Sequence, residues 1–176
     1  MLILQGDKRD NLFRECQREA FHLEVRDDYA VPMESGPFRQ FLDDEPDDYA
    51  WFRDWEIEAR EITGRGVVLS RVRVVTVPHT YYQRWGLVVA ARNVAAGEDI
   101  RYLPRHLAGD VPPDDWWLFD GELVAYNLVD DGGKAAGIAL TSDPQIAAYC
   151  RGVKRRLWDL ATPYVEYVDQ AAIQQQ

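Results

Sequence analysis

Cysteine, histidine and lysine are scarce in this chain, and each scarcity closes off a kind of chemistry. Its 176 residues hold two cysteines, three histidines and three lysines (Lys8, Lys134, Lys154). Cys16 and Cys150 stand far apart, so no CxxC pair exists. The start, MLILQGDKRD, lacks a basic n-region and a long apolar stretch. The expectation is therefore a reduced, cytoplasmic chain in which both thiols pack as small apolar groups. His22, His79 and His106 fall in three separate segments without an HxxxH pair, so no metal and no cofactor are expected. No apolar run reaches the length that spans a bilayer, which excludes a membrane helix. There is no G-x-S-x-G elbow, and neither Ser70 nor Ser142 has a histidine near it in sequence. Gly64-Arg65-Gly66 sits between a helix and a strand, the wrong order for a phosphate loop. Asp130-Asp131-Gly132-Gly133 shares only composition with a calcium loop, and a hairpin turn accounts for all four residues.

What remains is ample material for a core. Apolar residues make up 47% of the chain, with six Trp, nine Tyr and six Phe, which excludes disorder and suits one domain. Thirty acids against twenty bases leave a net charge of −10, which argues against duplex DNA binding by this chain alone. The charge is uneven: residues 1–59 carry net −9, residues 60–105 net +5 and residues 106–176 net −6. The basic middle has two readings, internal pairing with the acidic flanks or convergence on an anion.

Asp7 can cap a helix over 8–19, followed by an alternating strand, Ala20–Arg26. A short helix opens at Ser35, and Pro46 fits the first turn of a longer one ending at Gly64, with Asp43–Asp48 at its positive end. Val67–Val75 is a β-branched strand, 79–96 a helix and Ile100–Leu103 a second strand, which spells a right-handed βαβ unit. Strands follow over 116–119, 122–129 and 134–141. A helix runs from Asp143-Pro144 to Thr162-Pro163, and the tail from Asp169 reads as frayed. The expected fold is a single α/β domain: a mixed sheet with a central parallel βαβ unit and a C-terminal antiparallel hairpin, flanked by helices.

Arg71 and Arg73 share one face of their strand and require partners if that face is buried. Glu56 or Glu98 could supply them, as could a bound anion, and an open sheet face would need neither. The crevice beyond the carboxyl ends of the parallel strands is the expected ligand position. Candidate binding residues around it are Arg71, Arg73, Tyr81, Arg84, Trp85, Glu98, Arg101, Arg105, Trp117 and Asp120; the aromatic ones serve equally well as core. The basic C-terminal helix (Arg151, Lys154, Arg155, Arg156) reads first as a solvated face and second as a docking face for an acidic partner. No catalytic residue emerges.

The phrases LEVRDDYAV, ESGPFRQFLDDE, GVVLSRVRVVTVP, YQRW, NVAAGEDIRYLPR and DWWLFD, with the DDGG hairpin, resemble an uncharacterised actinobacterial domain family encoded beside Xre-type helix-turn-helix regulators. That resemblance implies an accessory protein tied to regulation or specialised metabolism, and no particular reaction. More distantly, the helix, the RGVVLSRVRV strand, the crossover helix and WLFDGELVAY are similar to one half of the phospholipase-D-like fold. Its active members need His-x-Lys with a trailing Asp, a motif this chain lacks, so the resemblance implies a degenerate, non-hydrolytic scaffold. Two functional expectations follow: a non-catalytic ligand- or partner-binding accessory of a transcriptional regulator, or a small enzyme or carrier for an anionic metabolite. A deep pocket with a strongly shifted carboxylate or histidine would favour the second. The candidate partners are a helix-turn-helix protein and a small anionic ligand, with no direct nucleic acid and no membrane.

Overall fold

In a computed structural model that describes residues 2–4, 8–130 and 134–174, the expected α/β architecture is present. The elements run β1 (Leu2–Leu4), α1 (Lys8–Glu15), β2 (Glu19–Glu24), α2 (Ser35–Leu42), α3 (Arg53–Gly64), β3 (Val68–Val75), α4 (Tyr81–Ala95) and β4 (Asp99–Pro104). Then come β5 (Trp116–Phe119), β6 (Leu123–Val129), β7 (Ala135–Thr141), α5 (Pro144–Leu160), β8 (Thr162–Pro163) and α6 (Tyr164–Gln174). Among the described residues they build one eight-stranded mixed sheet, ordered β1-β7-β6-β5-β2-β3-β4-β8. β2, β3 and β4 are parallel neighbours, so the βαβ pair expected at 67–75 and 100–103 is formed. β5, β6 and β7 continue antiparallel.

The period-2 alternation of the central strands gives the sheet two chemically different faces. One face is apolar: Phe21, Leu23, Val72, Val74, Leu103, Trp116 and Leu118 pack on Cys150, Val153 and Leu157 of α5. The opposite face begins apolar, with Ala20, Leu69, Trp117 and Phe119 against α1 and α3. It turns polar toward the carboxyl ends of β2 and β3, where His22, Glu24 and Arg71 are buried and Arg73 is half-buried. α4 and α6 cover its far edge through Val75, Ala90, Ile100, Tyr102 and Tyr167.

Several element boundaries differ from the sequence reading. Residues 43–49 are not helix: Asp44 and Tyr49 adopt φ 55°. Asp47 and Asp48 instead accept the backbone N–H groups of Tyr49 (2.7 Å) and Ala50 (2.9 Å), a local competition that defers the helix to Arg53. α4 starts at Tyr81 because Thr80 and Gln83 form a capping box. Residues 169–174, read as a frayed tail, continue α6, whose Tyr167 stacks on Tyr102 at 4.9 Å. The edge strands β1 and β8 are too short to show a period. Asp7 and the turn residues 131–133 lie outside the described residues, although the backbone of Asp130 and Lys134 closes the hairpin at 2.9 Å. Cys16 and Cys150 are free and buried, in different cores. No helix among the described residues is long and apolar enough to cross a membrane.

Candidate functional site

Above the polar half of the sheet lies a cavity of about 670 Å³. Its floor comes from β2, β3 and β5. Register pairs His22 with Arg71 and Glu24 with Arg73, so H-x-E on one parallel strand faces R-x-R on the next. Arg71 donates from Nη1 to Glu24 Oε1 and from Nε to Glu98 Oε1, both at 2.7 Å. Arg73 Nε meets the other Glu24 oxygen, and its Nη1 reaches the Gly86 carbonyl and the Tyr102 hydroxyl at 3.4 Å. Burial alone would push the Glu24 carboxyl up, but the two guanidinium groups outweigh it and hold it at about 2. His22 stacks on Trp117, rings 4.1 Å apart, with its Nε2 3.2 Å from Asn127 Nδ2.

The wall and mouth come from α3, α4 and the segments between β2 and α3. Trp85 packs with Trp51 (5.6 Å, stacked) and Tyr82 (5.4 Å), and Trp55 Nε1 donates to Asn93 at 2.7 Å. The Tyr82 hydroxyl donates to Glu34 Oε2. Asp27 accepts from the Thr76 backbone and hydroxyl, at 3.0 and 2.7 Å, and from Gln83. Asp115, only 3% exposed, accepts the Val25 N–H at 2.8 Å and the Tyr29 hydroxyl. Burial pushes the Asp115 carboxyl up to about 6, and it raises that of Glu34 despite the Tyr82 hydrogen bond.

Of the residues singled out from the sequence, the structure brings Arg71, Arg73, Trp85 and Trp117 to this cavity and sets Glu98 behind Arg71. The others lie elsewhere, for geometric reasons. Tyr81 is exposed on the first turn of α4, with Arg84 over its ring at 5.4 Å. Arg101 pairs in register with Val72 and so points to the opposite face, where it stacks on Trp158 at 4.0 Å. Arg105 ties β2 to β3, donating to the carbonyls of Val25 and Val74 and standing 3.8 Å from Asp27. Asp120 sits at the far end of the sheet, because β5 runs antiparallel to β2; its carboxylate accepts the N–H groups of Gln17, Arg18 and Glu19. The same antiparallel run delivers Asp115 to the cavity in its place.

Glu24, His22, Asp115 and Glu34 are the residues that sequence reasoning missed. The alternation of β2 was visible, and pairing its polar positions with those of β3 would have found Glu24. Nothing local marks Glu34 or Asp115. Among the described residues no cluster of three or more His, Cys, Asp or Glu could hold a metal ion.

Comparison with solved structures defines the class of fold. The chain is similar to a phospholipase D family member, Nuc from Salmonella typhimurium, at TM-score 0.53 and 11% identity, covering 88% of this chain and 87% of that one. It is also similar to TrmBL2, an archaeal chromatin protein whose structure shows a novel mode of DNA binding, at TM-score 0.51 and 15% identity. That likeness covers 91% of this chain and 52% of the archaeal one, so the chain spans about half its neighbour's length. At these identities the likeness shows the fold alone. No curated protein matches in sequence. The chain belongs to the family described as a domain of unknown function, DUF6879, which matches residues 7–169.

Proposed function

We propose that this domain is a non-catalytic binding module that holds a small molecule in the cavity over β2 and β3. The observation that carries this reading is the cavity itself: about 670 Å³, aromatic on its walls and charged on its floor, at the carboxyl ends of parallel strands. Its shifted carboxylates favour the rival reading, a small enzyme. Their surroundings favour binding. Asp115 anchors the segment after β2 through Val25 and Tyr29, and Glu34 is held by Tyr82. The domain then acts as the sensing accessory of a helix-turn-helix regulator in a bacterial cytoplasm. The resemblance to a family encoded beside Xre-type proteins supports that partner, and the archaeal neighbour places a similar fold within a DNA-binding protein.

A metabolite screen by thermal shift, with mass spectrometry of each hit after incubation, tests the reading. A compound should raise the melting temperature and return unchanged. Gly86→Leu, which builds a side chain against Arg73 inside the cavity, should abolish the shift. Conversion of the hit to a product would favour the enzyme, and an empty screen would refute the binding module. Pull-down with the adjacent regulator tests the partner, which should retain this chain.

A further inference from the structure

The charge of the occupant can also be read from this cavity, and this step rests on the binding reading above. Six carboxylates line it (Glu24, Asp27, Glu34, Asp54, Glu58, Asp115) against three arginines, Arg26, Arg71 and Arg73. The two arginines on the floor are engaged already: Arg71 holds Glu24 and Glu98, and Arg73 holds Glu24 and the Gly86 carbonyl. An anion would have to displace these buried carboxylates from them, leaving negative charge uncompensated in a half-closed space.

The wall has the opposite bias. Glu34 and Asp115 make no ion pair within 4.0 Å among the described residues; the hydrogen bonds they accept come from neutral donors, the Tyr82 and Tyr29 hydroxyls and the Val25 N–H. The rings of those two tyrosines lie 6.0 Å apart, and Tyr82 leads on to Trp85 and Trp51. Aromatic faces carry negative potential and attract ammonium and guanidinium groups, most strongly when partly desolvated. We infer that the cavity takes an organic cation, a small molecule whose ammonium or guanidinium group sits at Glu34 against the Tyr29–Tyr82–Trp85 wall. Burial also raises the Glu34 carboxyl, and the Tyr82 hydrogen bond and the charges of Arg73 and Arg71, which make no ion pair with it within 4.0 Å, only partly offset that rise.

Three probes of matched size and different charge test this: phenethylamine, 2-phenylethanol and 3-phenylpropanoate, titrated calorimetrically at neutral pH. The amine should bind at least about tenfold more tightly than the alcohol, and the carboxylate most weakly, since a hydrogen bond to a charged group exceeds one to a neutral group by roughly that factor. Glu34→Gln keeps an acceptor for the Tyr82 hydroxyl and removes the charge, so it should weaken the amine about tenfold and leave the alcohol unchanged. Its unliganded melt shows whether it folds. Should Glu34→Gln fail to fold, Glu34→Ala takes its place, with the same selective loss expected. Tightest binding by the carboxylate would overturn the cationic assignment and leave the binding module standing, as would equal binding of amine and alcohol. An amine unaffected by either variant would overturn it too. No binding by any probe at millimolar concentration would count against both.

Discussion

Replacing Arg71 by alanine discriminates between the two roles that the sequence leaves open for the central arginines. Arg71 is 7% exposed and bridges two carboxylates that are themselves buried, Glu24 and Glu98, at 2.7 Å each. Glu24 would keep Arg73, but Glu98, at 2% exposure, would lose the one cation that meets it among the described residues. Breaking a buried pair by deleting one partner costs about 3–5 kcal/mol, mostly as the penalty of the stranded charge. For a chain of this size each kcal/mol moves the melting temperature by about 2–4 °C, so Arg71→Ala should melt roughly 6–20 °C lower. The paired change Arg71→Met with Glu98→Leu removes both charges together and should recover most of that loss. Chemical denaturation followed by tryptophan fluorescence reads all three proteins. A loss below about 1 kcal/mol for Arg71→Ala, or a double variant as unstable as the single one, would refute internal pairing as the arginine's role.

The remaining predictions concern other parts of the fold. Asp115 has a folded-state pKa of about 6, above its ordinary 3.8, so native protein binds the extra proton between those values and stability falls as pH rises through them, by roughly 3 kcal/mol. Asp115→Asn should flatten the stability profile from pH 4 to 7 relative to wild type; an unchanged profile would disprove the assignment. Glu24 is held down at about 2 against an ordinary 4.5, so its contribution is present above pH 4.5 and lost as pH falls toward 2. Glu24→Gln should therefore lose less stability than wild type between pH 4.5 and 2.5. Burial pushes the Cys16 thiol up to about 11, and Cys150 is buried in the opposite core. A thiol reagent at pH 8 should label neither cysteine until denaturant is added, and rapid native labelling would contradict the packing. Thr80→Ala removes the cap of α4 and should cost about 1 kcal/mol in denaturant titration.

The parallel core was legible because its signals are local and strong. The β-branched run 67–75, the punctuation at Pro78 and Gly97, and the short strand after it admit few arrangements. The candidate site was legible only in half. Arg71 and Arg73 announce themselves, since two arginines on one face of a central strand demand partners. Their main partner, Glu24, depends on which strand lies beside β3 and in what register, and that is decided by tertiary pairing. Asp120 was misplaced for a related reason: the direction of β5 relative to β2 decides which of its two flanking aspartates meets the cavity. Arg101 shows the cost of ignoring pleat parity, because it pairs with Val72, one residue out of step with Arg71 and Arg73, and so lies on the face covered by α5. Residues 43–49 misled through composition. Acids ahead of an amphipathic stretch suggest a helix start, whereas here they fold back onto their own backbone.

A crystal of the protein soaked with phenethylamine tests most directly the claim that the polar half of the sheet forms a ligand site. The aromatic ring should appear in the cavity, packed on Tyr82 and Trp85, with its ammonium within about 4 Å of the Glu34 carboxylate and the Arg71–Glu24–Arg73 floor undisturbed. A cavity that stays empty at saturating amine, or an amine bound with its charge in bulk water, would contradict the account.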